Sequence, residues 1–283
     1  MFKRIRKRSK QKNEIFELNN QDNLPEVCFD DGSVAVFGNA QHQGEREYQE
    51  DSFGFSDTSD EFVKQNGLLA VLADGMGGLS NGKAVSERVV SDMLGWFNAE
   101  QMVCASGEEL KNEISLINRD VCSIFCADGA VTSGSTVVAA LIKNSELHWV
   151  CVGDSRIYLR RGGKIHQINE DHDFLNQLLG EAIEDGAADV SAAFEDVQKD
   201  SLVGCIGKSD LDSFDYSKRG FRLLKGDRVM LCSDGVYNAL TESEMCSLLE
   251  EEPMIAAERI KNEVLSRRFR GQDNLTVIVI AMR

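Results

Sequence analysis

Long apolar runs that stop at an aspartate predict several buried strands in this chain. Residues 68–73 are six apolar residues in a row, followed by Asp74 and a glycine-rich turn. Such a run is typical of a strand covered on both faces. The other runs that meet an aspartate at one end are 150–152 before Gly153-Asp154, 229–232 before Asp234, and 275–280 after Asp273-Asn274.

The recurrence of aspartate at strand ends predicts a cluster of carboxylates at one end of the sheet. At any single position Asp-Gly is explained well as a turn. Ionised carboxylates that are packed together repel each other unless a cation neutralises them. A carboxylate at the end of a buried strand also has its position fixed by the core. Together the four sites favour a metal centre.

Helical spacing and turn residues predict the remaining elements. Apolar residues spaced three and four apart predict amphipathic helices at 82–98 and 108–125. Residues 169–215 are acidic and alanine-rich, and they predict a helix near 173–181 followed by a mobile, exposed segment. The other predicted elements are strands at 34–37, 227–233 and 275–282, hairpins of 135–142 with 146–152 and of 156–160 with 164–168, and helices at 241–250 and 255–268. Close hairpins require antiparallel pairing and exclude a doubly wound parallel sheet.

A polar stretch near the start carries further candidate chemistry. Arg46 stands upstream of Glu50-Asp51. The planar guanidinium suits phosphate oxygens, and the carboxylates suit hard cations. We expect a hairpin of residues 34–39 with 51–55, which would bring these side chains near Asp74. The alternative is a solvated loop between two strands.

Composition narrows the class of protein. The 283 residues include 42% apolar residues, and the net charge of -16 argues against nucleic acid as a partner. Eight cysteines without a Cys-x-x-Cys motif indicate reduced thiols in the cytoplasm. No apolar run reaches the length of a membrane span. We expect a monomer with a basic arm and lead-in at residues 1–32 and one domain at 33–283.

The motifs, taken in order, resemble the metal-dependent serine/threonine protein phosphatases of the type 2C family in its compact bacterial form. The resemblance runs from about residue 34 to the C-terminus. The residues that carry it are Arg46 with Glu50-Asp51-Ser52, Ala73 to Gly78, Gly134-Ser135-Thr136, Val152 to Arg156, Glu170-Asp171-His172, Cys232 to Gly235, and Asp273 to Thr276.

The resemblance implies a fold and a role for each site residue. The fold is α+β, a four-layer α-β-β-α sandwich with two central antiparallel sheets flanked by helices. Two divalent ions, Mn²⁺ or Mg²⁺, would be bound, with a third in bacterial members. The implied metal ligands are Asp51, Asp74, the Gly75 carbonyl, Asp154, Asp234 and Asp273, with Glu50 and Asn274 behind them; Arg46 and Asp74 would be the catalytic residues, and Arg46 would bind the substrate phosphate.

The implied activity is hydrolysis of phosphoserine and phosphothreonine on proteins, in opposition to a cognate serine/threonine kinase. A hydroxide held between two ions would attack phosphorus directly, while the ions and Arg46 offset the charge on the oxygens. His42 and His172 are weaker candidates for the proton donor, because structural or solvent-facing roles explain each of them. The resemblance also implies that residues 33–283 are a catalytic domain with a flap at about 173–215. The family arginine expected in the segment 202–207 is absent, so the flap contacts and the substrate choice do not carry over from the family.

Two other functions compete with this interpretation. A pseudophosphatase would keep the fold and act as a phosphoprotein-binding module, but such proteins typically lose metal aspartates and this chain retains them. A phosphodiesterase with a mixed His/Asp metal site is disfavoured by the low histidine count of four.

Overall fold

The computed structural model describes residues 25–76, 81–99, 106–125, 133–187, 189–199 and 201–283. The strands are β1 (Glu26–Cys28), β2 (Val34–His42), β3 (Ser52–Phe55), β4 (Leu68–Ala73), β5 (Val137–Lys143), β6 (Glu146–Val152), β7 (Arg156–Arg161), β8 (Lys164–Gln167), β9 (Asp215–Tyr216), β10 (Phe221–Arg222), β11 (Arg228–Cys232) and β12 (Leu275–Met282). The helices are α1 (Asp60–Asn66), α2 (Gly82–Ala99), α3 (Gly107–Phe125), α4 (Phe174–Glu184), α5 (Ser191–Glu195), α6 (Asp234–Tyr237), α7 (Glu242–Leu248) and α8 (Pro253–Ser266). The basic arm and the glycines at 77 and 78 lie outside the described residues.

Two antiparallel sheets pack face to face between layers of helices. One sheet has the order β1-β2-β12-β11-β7-β8, and the other has the order β10-β6-β5-β4-β3, with β9 also paired to β6. Helices α2 and α3 cover the outer face of the second sheet, whereas α7 and α8 cover the first. The predicted four-layer α-β-β-α sandwich is therefore confirmed.

The uninterrupted apolar run of β4 reflects burial on both faces. Leu68, Ala70 and Leu72 belong to the core between the two sheets. Leu69 and Val71 point the other way and pack with α2 and α3. Because side chains alternate along a strand, a strand covered on both sides has no position left for a polar residue.

Most of the predicted elements are present with small changes at their ends. The helix predicted at 82–98 is α2, and the predicted strand at 275–282 is β12. The capping box of α7 is formed, with Thr241 and Glu244 each accepting from the other's backbone N–H. Several short elements were not predicted, namely β1, α1, α5, α6, β9 and β10. Part of the stretch interpreted as a lead-in, residues 26–28, is thus a strand paired with β2.

The predicted hairpin of residues 34–39 with 51–55 is wrong. β2 pairs with β1 on one side and with β12 on the other, so both of its edges are occupied. β3 pairs instead with β4 in the second sheet. The segment between β2 and β3 therefore crosses from one sheet to the other at the end of the sandwich, and this crossing carries Arg46.

Two further expectations concern the state of the cysteines and the presence of membrane-spanning helices. Cys28, Cys151, Cys232 and Cys246 are free thiols. In the described regions no helix combines the length and apolar character that a bilayer crossing requires.

Candidate active site

Strand direction brings the aspartates of the second sheet to one end. β4 and β6 both run antiparallel to β5, so Asp74 and Asp154 follow strands that end on the same side. Ser52 pairs with Ala73, which places Asp51 beside Asp74.

The first sheet contributes its aspartates in the same way. Cys232 at the end of β11 pairs with Val277 near the start of β12, so Asp234 and Asp273 flank neighbouring strands at one end. Asp74 is close enough to feel the charges of Asp51, Asp154, Asp234 and Asp273. The structure therefore brings together all five predicted aspartates, two sheets contributing to one cluster.

Asp51 is held by two hydroxyl groups that the sequence analysis did not single out. Its Oδ2 atom accepts hydrogen bonds from Ser233 Oγ at 2.8 Å and from Thr276 Oγ1 at 2.7 Å. Its Oδ1 atom is buried and has no hydrogen-bond partner in the described structure. Burial raises the pKa of Asp51 to about 6, although the two hydroxyl groups oppose this shift.

Asp74 is fixed through its backbone. Its N–H donates to Thr136 Oγ1 at 3.1 Å, and its carbonyl accepts from Ser135 Oγ and from the Thr136 N–H, each at 2.8 Å. Burial, followed by repulsion from Asp51, raises the pKa of Asp74 well above its usual value. A carboxyl group in such surroundings is ionised at neutral pH if a cation compensates its charge.

Asp234 begins α6 and faces two other carboxylates. Burial, with repulsion from Asp273 and Asp154, raises the pKa of Asp234 to about 7. Its Oδ1 atom is buried and unpartnered within the described structure, whereas Oδ2 accepts from Asn238 Nδ2 at 3.3 Å. Burial also raises the pKa of Asp154, and a nearby Asp171 adds to that shift.

Arg46 reaches the cluster from the crossing segment. Its Nη2 atom pairs with Asp273 Oδ2 at 2.5 Å, and its side chain is 48% exposed. Asp273 Oδ1 accepts from the Asn274 N–H at 2.8 Å. The guanidinium thus lies at the open side of the cluster, where it is accessible to a ligand from solvent.

The two residues predicted to stand behind the ligands hold loops together. Asn274 Oδ1 accepts from the Glu50 N–H at 2.8 Å, and its Nδ2 atom donates to the carbonyls of Gln43 and Tyr48. The Glu50 carbonyl accepts from the Gly75 N–H at 3.2 Å. A Cβ atom on Gly75 would lie 2.6 Å from the Gly82 carbonyl, so this turn requires glycine to let α2 approach.

The donor set fits hard divalent cations. All the candidate ligands are oxygen atoms, which suit Mg²⁺ and Mn²⁺ better than Zn²⁺. The unpartnered buried oxygens of Asp51 and Asp234 are the kind of atom that an ion satisfies. Within the described segments, no group of three His, Cys, Asp or Glu side chains is arranged to hold an ion as it stands. In this arrangement Asp273 Oδ2 faces Arg46 Nη2 at 2.5 Å.

The two candidate histidines have other partners. His42 Nδ1 accepts from the Gly44 N–H at 2.9 Å, and His172 Nδ1 accepts from the Gly153 N–H at 3.1 Å. Burial lowers the pKa of His172. Both rings therefore serve to hold backbone next to the cluster, which favours the structural role for each.

The segment that lacks the family arginine lies beside the same cluster. Ile206 and Ser135 exchange backbone hydrogen bonds of 2.8 and 3.1 Å. A Cβ atom on Gly204 would lie 3.0 Å from the Cβ of His172, so this position is close-packed. The segment 202–207 therefore meets the cluster through small residues and backbone.

Comparison with known proteins identifies the family. The family model described as Protein phosphatase 2C matches residues 39–267. The chain is 28% identical to the Serine/threonine phosphatase stp of Listeria welshimeri over 246 residues, covering 83% of this chain and 90% of the relative. It is 29% identical to the Protein phosphatase PhpP of Streptococcus pneumoniae over 219 residues, covering 76% and 85% respectively.

The fold has a clear counterpart among solved structures. The catalytic domain of the serine/threonine protein phosphatase PstP, solved with two manganese ions, superposes with a TM-score of 0.67 at 24% identity over 88% of this chain and 99% of that chain. The predicted family and its enzyme class, metal-dependent protein serine/threonine phosphatase, are confirmed, and the chain belongs to the protein phosphatase 2C family.

Proposed function

We propose that this protein hydrolyses phosphoserine and phosphothreonine monoesters on proteins, with Mn²⁺ or Mg²⁺ as its cofactor. The observation that carries the proposal is the cluster of five aspartates with two unpartnered buried oxygens, on Asp51 and Asp234. Family membership and the manganese ions of PstP support the same cofactor.

The cluster offers ligands for two or three ions. Asp74, the Gly75 carbonyl, Asp234 and Asp273 would hold two ions. Asp51 and Glu50 would contribute through water, and Asp154 with Asp234 would hold a third ion. When bound, the ions supply a nucleophile at neutral pH by lowering the pKa of coordinated water.

The chain's own residues bind and orient the substrate. Arg46 is half-exposed and anchored by Asp273, so its remaining N–H groups can donate to two oxygens of a phosphate. The hydroxyl groups of Ser233 and Thr276 keep the Asp51 carboxylate aimed in one direction. The substrate phosphate would thus be held between Arg46 and the carboxylate cluster, with its ester bond directed to solvent.

The proposed reaction also indicates the source of the substrate and the cellular compartment. Protein phosphoesters of this kind are made by a serine/threonine kinase, so we propose that a cognate kinase supplies the substrates. The free thiols of Cys28, Cys151, Cys232 and Cys246 suit the reducing cytoplasm. The competing function, a phosphoprotein-binding module, is disfavoured because every proposed carboxylate ligand is present.

The test compares the wild type with Asp74→Asn on a phosphothreonine peptide and on an aryl phosphate. We expect Mn²⁺-dependent release of phosphate by the wild type, and a loss of at least about 10³-fold in kcat for the variant, with the fold retained. A chelator should abolish the wild-type activity, and Mn²⁺ should restore it. Full activity of Asp74→Asn would contradict the proposal, whereas phosphopeptide binding without turnover by the wild type would favour the binding module.

A further inference from the structure

The loop between α8 and β12 carries two exposed arginines. Arg267 pairs with Glu244 and Glu263. The next arginines, Arg268 and Arg270, are exposed and form no ion pair with any described residue. The loop therefore presents two exposed guanidinium groups that are available to an anion from outside.

This loop is attached to the segment that carries Arg46. The Gly271 N–H donates to Glu45 Oε2 at 2.7 Å, and the Glu45 N–H donates to the Gln272 carbonyl at 2.8 Å. The pair of Arg46 with Asp273 adds a third link. The positions of Arg268 and Arg270 are therefore tied to that of the proposed phosphate-binding arginine.

The surroundings of the two arginines suit a peptide. Phe269 lies between them and is 49% exposed, and Tyr48 on the attached segment is 64% exposed. Exposed aromatic side chains near arginines supply apolar contact area for a polypeptide. Glu45 Oε2 accepts the Gly271 N–H, so this carboxylate is held against the backbone of the loop.

The net charge of the whole chain is opposite in sign to the charge of the two arginines. The net charge is -16, so an acidic ligand is repelled by most of the surface. Arg268 and Arg270, here called the basic rim, would offset that repulsion beside the proposed phosphate site, where the substrate must bind. Arginine clusters commonly recognise acidic and phosphorylated segments in this way.

We propose that Arg268 and Arg270 form a subsite for acidic residues next to the phosphorylated residue of the substrate. The proposal rests on the proposed function, since Arg46 would take the phosphate while the flanking residues of the same peptide pass over the rim. An extended peptide advances about 3.3 Å per residue, so residues within a few positions of the phosphate can reach the rim. The substrate class is thus a phosphoprotein segment with acidic flanks.

The test uses the double variant Arg268→Gln/Arg270→Gln of the full chain. Its matched control is Lys218→Gln/Arg219→Gln, which removes the same charge next to β10, at the Glu146 end of β6 and far from Asp154. Substrates are a phosphothreonine peptide with aspartates on both sides, the same peptide with asparagines, and p-nitrophenyl phosphate. Each is measured with Mn²⁺ at low and at high salt.

We expect the wild type to prefer the aspartate peptide, and the double variant to lose at least about fivefold in kcat/KM on it. Rates on the asparagine peptide and on p-nitrophenyl phosphate should stay within about twofold, and high salt should reduce the wild-type preference. Equal losses on all three substrates, or equal effects of the control variant, would overturn the subsite. Absence of hydrolysis of p-nitrophenyl phosphate by the wild type would instead overturn the proposed function and the subsite with it.

Discussion

The guanidinium of Arg156 lies 3.6 Å from the centre of the Tyr237 ring. The Nε and Nη2 atoms of the same guanidinium donate to Asp171 Oδ2 at 2.9 and 2.6 Å. Arg156 follows Asp154 by two residues, and Tyr237 follows Asp234 by three. The contact therefore connects two of the segments that carry the aspartate cluster.

Replacing Arg156 by methionine should lower the free energy of unfolding by about 3 kcal/mol, because the buried Asp171 carboxylate would lose its ionic partner. Urea unfolding of the metal-free protein measures the change. The control is Arg259→Met, whose partner Glu251 is exposed, and this variant should lose less than about 1 kcal/mol. Equal losses in the two variants would show that the Arg156 pair is no more important than a surface pair.

The backbones at Gly235 and Asn274 approach so closely that a larger residue at position 235 should be destabilising. A Cβ atom there would lie 2.1 Å from the Asn274 carbonyl oxygen. Gly235→Ala should therefore cost about 2 kcal/mol or more in unfolding free energy and lower Mn²⁺-dependent activity, because the backbone at Asn274 must shift and carries the adjacent Asp273 with it. Gly95→Ala is the control, since nothing lies within 4 Å of its Cβ and alanine favours the helix by up to about 1 kcal/mol. Thermal unfolding and phosphatase assays on the two variants test this, and a neutral Gly235→Ala would contradict it.

Local pattern was sufficient to predict the long elements and the aspartate cluster. Burial on both faces leaves the uninterrupted apolar run of β4, and burial on one face leaves the helical period of α2. The aspartates were found because each one interrupts an apolar run at its end. The sequence carries no direct signal of the strand register that brings the aspartates together. Antiparallel pairing of neighbouring strands was nevertheless enough to predict that they meet at one end.

The features that were not predicted depend on pairing between segments that are distant in the sequence. The wrong hairpin of residues 34–39 with 51–55 joined neighbours in sequence, whereas β2 has β12 as its partner, more than two hundred residues away. Ser233 and Thr276 were likewise missed as supports of Asp51. The available signal was a polar side chain, Thr276, inside the otherwise apolar strand β12, where a fully buried hydroxyl requires a partner.

Loss of that hydroxyl should weaken metal binding more than the maximal rate. Thr276→Val keeps the shape of the side chain and removes the hydrogen bond to Asp51. We expect the Mn²⁺ concentration for half-maximal activity to rise by about tenfold, since groups that orient a ligand typically contribute 10–100-fold in affinity. Ser247→Ala removes a hydroxyl on α7 whose one hydrogen bond to a described residue is to the Ser243 carbonyl, and it should leave the Mn²⁺ dependence unchanged. An unchanged Mn²⁺ dependence in Thr276→Val would argue against a role for Asp51 near the ion.

The raised pKa values of the cluster predict how stability depends on pH. Asp51 and Asp234 have folded-state pKa values of about 6 and about 7, above the ordinary value of 3.8, so the folded protein binds protons more tightly than the unfolded chain. Stability of the metal-free protein should therefore fall as pH rises from about 4 to 7, and it should level off above that range. Mn²⁺ binds the ionised carboxylates, so the increase in Tm that it produces should be larger at pH 7.5 than at pH 5. Calorimetry in chelator and in excess Mn²⁺ measures both trends, and Asp234→Asn should reduce them. An equal Mn²⁺-induced shift at the two pH values would mean that the carboxylates are not the groups that the ion neutralises.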